Sequence, residues 1–146
     1  MSEHLAPAEV VAFLNDYLTA MVDCVIEHGG VLDKFIGDAV LAVFGASVGA
    51  GSAEADAKAA VACAVAMGKK LDEMNAARQL DGQAAIGIGI GVHTGELVAG
   101  NIGSPRRMPY TVIGDSVALL EVGTVAVRGR SEPLLIFGLC DEGALA

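Results

Sequence analysis

Asp38 lies between two apolar segments, at a position where its carboxylate could bind a metal ion. Asp38 follows Gly37 in the middle of residues 31–46, between two segments rich in β-branched and aromatic residues. Gly-Asp readily enters a tight reversal, so this stretch predicts a β-hairpin with Asp38 at its tip. Carboxylate oxygens at such a tip are suited to a hard divalent cation, although the same dipeptide also occurs simply as turn chemistry.

Other side chains with catalytic potential have structural interpretations. Lys34 precedes Asp38 by four residues and is predicted to lie on the first strand of the same hairpin. His28 adjoins a predicted helix end, where the helix dipole favours histidine. His93 ends a predicted strand without a carboxylate or cysteine beside it in the sequence, which favours a structural role.

The glycine-rich stretches do not match the common nucleotide-binding motifs. No G-x-x-x-x-G-K-[ST] sequence is present, and the glycines at 87, 89, 91 and 95 miss the G-x-G-x-x-G spacing. A nucleophile elbow, an H-E-x-x-H helix and a paired-cysteine zinc motif are likewise missing from the sequence. A P-loop or Rossmann site is therefore not expected.

The elements that must position these residues can be predicted from hydrophobic periodicity. Apolar residues recur at three- and four-residue steps from Ala6 to the glycines at 29 and 30, and again over residues 54–77, which predicts two long helices. Isoleucine alternates with glycine over residues 84–93, which predicts a strand with one bare face.

Further short strands are expected in the second half of the chain. They are predicted at residues 97–99, 110–113, 124–127 and 134–139, the last two joined by a polar turn over residues 128–133. Helices and strands interleave without strict alternation. The expected fold class is therefore α+β, with helices packed on a mainly antiparallel sheet.

Composition limits the possible partners and compartments. The chain has 146 residues, enough for one domain, and a formal net charge of −9, which argues against a nucleic-acid partner. Its three cysteines lie in apolar contexts without C-x-x-C spacing, as in reduced proteins. No apolar run reaches membrane-spanning length and no leader pattern begins the sequence, so a cytoplasmic location is expected.

Three segments in order carry a more specific signal. They are DKFIGDAVLAVFGA, IGIGIGVHTGELVAGNIGSPRRMPYTVIGDSV and VAVRGRSEPL. Together they closely resemble the class III nucleotide cyclase catalytic domain, and the resemblance extends over nearly the whole chain. It implies a ferredoxin-like α+β fold and one catalytic domain spanning residues 1–146. In this family the catalytic domain usually ends a longer chain, so a membrane tether outside these residues is compatible with the resemblance.

The resemblance also implies an activity and a set of site residues. Members of this family make 3′,5′-cyclic nucleotides from nucleoside triphosphates, with two divalent ions, Mg²⁺ or Mn²⁺, at sites shared across a head-to-tail homodimer. Carried onto this sequence, the pattern makes Asp38 a metal-binding and catalytic aspartate, and makes Lys34 and Thr111 the residues that recognise the base. Lysine with threonine resembles the adenylate-forming branch that includes bicarbonate-responsive enzymes, which implies ATP as substrate and bicarbonate as a regulator.

These residue types suit that chemistry. Attack of the ribose 3′-oxygen on the α-phosphorus requires loss of the hydroxyl proton and neutralisation of the triphosphate, which carboxylate-held cations can provide. The ammonium of Lys34 can donate to a purine ring nitrogen, and the hydroxyl of Thr111 can bond the exocyclic group.

The sequence departs from the family pattern at two places. The strand that carries the first metal aspartate is not represented before Met1, and after Val117 the family's asparagine and arginine positions hold Ala118 and Val122. The interpretation favoured here is that segments before Met1 and between 117 and 118 are absent from this sequence. The 146 residues by themselves are then expected to be inactive.

There are three alternative functions, and the first follows from these departures. A catalytically inactive pseudocyclase, acting as a dimerising regulatory module, would retain the fold without turnover. A diguanylate cyclase is disfavoured because no GG[DE]EF-like sequence occurs. Guanylate specificity is disfavoured because Lys34 stands where an acidic residue is expected for guanine.

Overall fold

The computed structural model describes residues 7–45, 52–95, 98–101, 103–107, 110–113 and 132–140. Two helices and six strands lie in these ranges. In chain order they are α1 (Pro7–Glu27), β1 (Val31–Ile36), β2 (Ala39–Val43), α2 (Ala53–Leu80), β3 (Gly87–Gly95), β4 (Val98–Asn101), β5 (Tyr110–Ile113) and β6 (Glu132–Cys140). Neither helix is both long and apolar enough to cross a bilayer within these ranges.

Gly29 and Gly30 terminate helix α1. Gly29 adopts φ +78°, and its N–H donates to the carbonyl of Ile26, while Gly30 N–H donates to the carbonyl of Val25. This pair of hydrogen bonds is the Schellman arrangement, which requires a left-handed residue and so favours glycine. At Gly30 an added Cβ would lie 2.7 Å from the Phe44 ring, so the helix exit is packed directly on the core.

Helix α2 is bounded by comparable signals. The hydroxyl of Ser52 accepts a hydrogen bond from the Ala55 N–H at its start. At its end Gly82, with φ +70°, donates to Gln79 and Gln83 donates to Arg78. The helix thus runs one residue earlier and three residues later than the predicted 54–77 segment.

Four strands form the main sheet, in the order β1-β2-β6-β3, and every neighbouring pair is antiparallel. Strands β4 and β5 form a separate antiparallel pair. The predicted strands at 110–113 and 134–139 are confirmed, and the predicted strand at 97–99 is observed as Val98–Asn101. The predicted strand at 124–127 lies outside the described residues.

Strand β6 occupies the interior of the sheet, between β2 and β3. It begins at Glu132, so the predicted turn over 128–133 is wrong in its last two residues, which pair with Gly95 and Thr94 of β3. Pairing with β2 starts only at Leu134. Pro133 therefore lies where β6 has one described neighbour, which accommodates a residue without a backbone N–H.

Both helices bury their apolar faces against this sheet. The buried cluster draws on α1, α2 and the helix-facing residues of β2, with Ile86 entering from the loop before β3. Its members include Tyr17, Met21, Val25, Val40, Ala42, Phe44, Cys63, Met67 and Leu71. Burial of these side chains is the main stabilising contribution to an α+β domain of this size.

The last two turns of α2 contact the segment that leads into β3. Asn75 Nδ2 donates to the Ile86 carbonyl, and the Ile86 N–H donates to Asn75 Oδ1, both at 2.8 Å. Arg78 Nε donates to the Ala84 carbonyl at 3.0 Å, and its guanidinium lies 4.6 Å from the centre of the Phe13 ring. These contacts use backbone groups of residues 84–86 that would otherwise pair with a strand. The predicted strand start at residue 84 is wrong: β3 begins at Gly87.

Replacing Asn75 by alanine should destabilise the domain. Both backbone groups of the buried Ile86 would lose their partner, at a cost of about 2 kcal/mol in the free energy of unfolding. Urea unfolding of Asn75→Ala measures that loss. Gln79→Ala, on the exposed surface of the same helix, serves as the matched control and should stay within about 0.5 kcal/mol of the parent chain. Equal losses in the two variants would contradict the role assigned to Asn75.

Candidate active site

The predicted hairpin is present and places Asp38 at its tip. Ile36 pairs with Ala39, so Gly37 and Asp38 form a two-residue connection between β1 and β2. Gly37 adopts φ +63°, the left-handed conformation that tight hairpin turns demand and glycine accepts without steric cost. Asp38 is exposed in this turn. Its carboxylate is therefore accessible to a ligand from solvent.

Strand β1 contains one extra residue relative to β2. Leu32 pairs with Ala42 and Lys34 pairs with Leu41. An advance of two residues along β1 is thus matched by only one residue along β2. The irregularity falls at Asp33, which makes Asp33 the additional residue of a β-bulge. Strand β1 thus contains a register shift immediately before Lys34.

The bulge determines which face of the sheet Lys34 occupies. Directly opposed residues of an antiparallel pair project to the same face. Leu32, opposite Ala42, packs against the helix-covered core, whereas Leu41, the partner of Lys34, is buried but outside that core cluster. Without the extra residue, period-two alternation would put Leu32 and Lys34 on one face. With it, Lys34 lies on the face away from the helices.

Phe35 supports this assignment of faces. It pairs with the core residue Val40, and together with Leu32 it lines a groove against Leu18 and Val22 of α1. Residues 32 and 35 of a regular strand would point to opposite faces. Their common contact with α1 therefore follows from the bulge between them.

An ion pair joins the Lys34 ammonium to the neighbouring Asp33. Lys34 Nζ lies 3.3 Å from Asp33 Oδ2. The Asp33 side chain is only 2% exposed, whereas that of Lys34 is 48% exposed. Sequence inspection missed the bulge at Asp33 and its ion pair with Lys34, because a bulge arises from pairing with a second strand and leaves no signal in β1 alone.

Thr111 lies in β5, where it pairs with Gly100 of β4. Strands β5 and β1 approach one another, with Cα atoms within 8 Å. The structure therefore brings together the two strands that carry Lys34 and Thr111, although 76 positions separate the two residues in the sequence. Only the family resemblance implied this proximity, because no local spacing or periodicity relates the two segments.

Asp38 is the carboxylate that the sequence predicts as a metal ligand. No group of three or more histidine, cysteine, aspartate or glutamate side chains is arranged to hold an ion within the described ranges. Mg²⁺ commonly binds through one or two carboxylates, with substrate phosphates and water completing its six ligands. An exposed turn carboxylate fits that mode of binding better than a cage made wholly of protein ligands.

Cys24, Cys63 and His28 have structural roles, as predicted, and the side chain of Cys140 lies outside the described residues. Burial raises the pKa of the Cys63 thiol to about 12, and burial likewise raises the pKa of Cys24. Both thiols therefore stay protonated at neutral pH and are poor nucleophiles and poor metal ligands. The His28 Nδ1–H donates to the Cys24 carbonyl at 2.8 Å, which caps the end of α1. His93 is buried in β3.

Comparisons with known proteins agree on one family. The sequence profile of the Adenylate and Guanylate cyclase catalytic domain matches residues 1–130. An adenylate cyclase from Anabaena cylindrica is 39% identical over 121 residues, which cover 80% of this chain and 22% of that protein. This chain spans about a fifth of the length of the curated relatives it matches.

Two solved structures have similar folds. The guanylyl cyclase Cya2 aligns with a TM-score of 0.72 at 35% identity, covering 94% of this chain and 83% of its own. The adenylyl cyclase CyaB from P. aeruginosa aligns with a TM-score of 0.73 at 30% identity, covering 97% and 87%. One neighbour is named for guanylyl and the other for adenylyl cyclisation, so structural similarity leaves the choice of base to the site residues.

Proposed function

This chain belongs to the adenylate and guanylate cyclase catalytic domain family, and on that premise we propose that it converts ATP to 3′,5′-cyclic AMP and pyrophosphate. The observation that carries the choice of ATP is the proximity of β1, with Lys34, to β5, with Thr111. Ring nitrogen N1 of adenine is an acceptor and matches an ammonium donor. Guanine carries an N–H at the same position, so it cannot accept a hydrogen bond from the ammonium, and the two donors would repel each other.

At phosphorus the reaction forms one bond and breaks one. The ribose 3′-oxygen attacks the α-phosphorus, its hydroxyl proton passes to water, and the bond from that phosphorus to the pyrophosphate oxygen breaks, so that pyrophosphate leaves. Lys34 and Thr111 orient the nucleotide by its base. Asp38 would hold Mg²⁺ or Mn²⁺ beside the triphosphate. Divalent ions, when bound there, neutralise phosphate charge and lower the pKa of the ribose hydroxyl.

We further propose that two copies of the chain form each active site as a homodimer. Ile36, next to the hairpin turn and on the same face of β1 as Lys34, is 46% exposed. Apolar side chains adjoining a candidate site favour coverage by another surface. A second copy of the chain, arranged head to tail, is the cover that the family pattern implies.

Turnover tests the choice of substrate and is measured on a purified protein in which these residues lie within a complete cyclase domain, because the 146 residues by themselves are expected to be inactive. We expect cyclic AMP from ATP in the presence of Mg²⁺ or Mn²⁺, and little cyclic GMP from GTP. A higher kcat/KM for GTP would overturn the substrate assignment. The same assay, repeated over a bicarbonate titration at fixed pH, tests the proposed bicarbonate response, and unchanged rates would exclude it.

A pseudocyclase is the alternative that a specific observation favours. Ala118 and Val122 stand where the family pattern has the catalytic asparagine and arginine. A protein that dimerises but forms neither cyclic nucleotide, under any of these metal conditions, would be a regulatory module of this kind.

A further inference from the structure

Base recognition by Lys34 requires its side chain to adopt one conformation when a nucleotide binds. Lysine carries its charge on a flexible four-carbon stem, and ordering such a side chain costs rotamer entropy. A nucleotide that has to immobilise the ammonium loses that part of its binding energy. A site that holds Nζ in advance avoids the loss.

Asp33 is placed to hold it. Its carboxylate is almost fully buried, with one oxygen 3.3 Å from Lys34 Nζ. A buried aspartate has little rotational freedom of its own, and it gains from keeping a cation close because an unpaired charge at that depth is costly. The more exposed lysine is therefore the partner whose position is restricted.

Asp33 is also the bulge residue that directs Lys34 to the face away from the helices. A single position in β1 thus contributes both the extra backbone unit that selects the face and the side chain that anchors the ammonium.

We propose that Asp33 is a positioning residue for base recognition, which holds the Lys34 ammonium where it discriminates adenine from guanine. This inference rests on the proposed function of Lys34. An ammonium has three N–H donors, so Lys34 can pair with Asp33 and also donate to a nucleotide. Fixing its direction strengthens its bond to the N1 acceptor of adenine. It equally prevents the ammonium from swinging away from the N1–H of guanine.

Nucleotide binding by the full chain tests the proposal without requiring turnover. Calorimetry with 3′-deoxy-ATP and 3′-deoxy-GTP in the presence of Mg²⁺ measures binding alone, because these nucleotides lack the attacking oxygen. The variants are Asp33→Asn, which keeps the size of the side chain and removes its charge, Lys34→Met, and the double variant. Asp33→Ser repeats the measurement with a different effect on packing, and thermal unfolding monitors the fold of each.

We expect Asp33→Asn to reduce the preference for the adenine nucleotide about two- to fivefold, the range for a partly exposed ion pair. Lys34→Met should reduce it about tenfold, the loss of one hydrogen bond to a charged group. In the double variant Asp33→Asn should add nothing to the loss, since it acts through Lys34. A merely structural role of Asp33 would weaken both nucleotides equally and leave their ratio unchanged.

The remaining outcomes separate the two levels of the proposal. A preference lost in Lys34→Met but unchanged in Asp33→Asn and Asp33→Ser would overturn the role of Asp33 and leave the function intact. An effect of Asp33→Asn that persists in the Lys34→Met background would overturn it as well. A parent chain that binds neither nucleotide, or a preference that survives Lys34→Met, would overturn the base assignment and with it the proposed function.

Discussion

Asp38→Ala should reduce metal-dependent formation of cyclic nucleotide at least about a hundredfold, the scale on which removal of one group that stabilises transition-state charge acts. Asp38 is the one site carboxylate at the exposed hairpin tip, and its loss would leave the triphosphate without that anchor for a cation. Initial rates over a Mn²⁺ titration measure the effect. Raising the concentration of metal should recover little of it.

The controls separate lost chemistry from lost structure. Because Asp38 lies in an exposed turn, its replacement should change the free energy of unfolding by no more than about 0.5 kcal/mol. Asp72→Ala removes an equal charge from the exposed surface of α2 and should retain the parent rate. Retention of more than a few per cent of activity in Asp38→Ala would show that the metal is held elsewhere.

Lys34→Met should lower kcat/KM for ATP about tenfold or more and reduce the preference for ATP over GTP. Methionine preserves most of the length of the side chain and removes the donor that adenine N1 requires. The loss of one hydrogen bond to a charged group corresponds to about 1.5–3 kcal/mol. Because discrimination depends on kcat/KM for competing substrates, both nucleotides must be measured at matched metal concentration.

A surface lysine provides the matched control for this substitution. Lys69→Met removes the same charge from an exposed position of α2 and should leave the ratio of the two kcat/KM values unchanged. A similar fall for ATP and GTP in Lys34→Met would indicate lost folding or lost phosphate attraction. That outcome would contradict base recognition by Lys34.

The helices illustrate what local chemistry predicts well. Their ends are set by Ser52, Gly29 and Gly82, whose side-chain oxygen or left-handed backbone satisfies the terminal hydrogen-bonding groups within a few residues. The hairpin at Gly37-Asp38 is equally local. Family and fold class, both predicted from the three ordered motifs, are confirmed by the profile match and by the structural neighbours.

Errors in the strand predictions come from contacts between distant segments. The strand predicted from 84 begins at Gly87, because Asn75 and Arg78 of the preceding helix bind the backbone of residues 84–86. The predicted turn extends to residue 133, but strand β6 already begins at Glu132, because β3 pairs with β6 from Gly95 onward. Periodicity within a segment carries no information on either partner.

The family, the hairpin turn that carries Asp38 and both helices could be predicted from the amino-acid sequence, because they depend on residue types and hydrogen bonds close together in the chain. Three features required the folded structure: β6 lies between β2 and β3, β5 lies beside β1, and a bulge at Asp33 places Lys34 on the face away from the helices. Pairing of strands is a relation between segments far apart in the chain. A shift of one residue in that pairing reverses which face a side chain occupies, and that face decides whether Lys34 packs in the core or can meet a ligand.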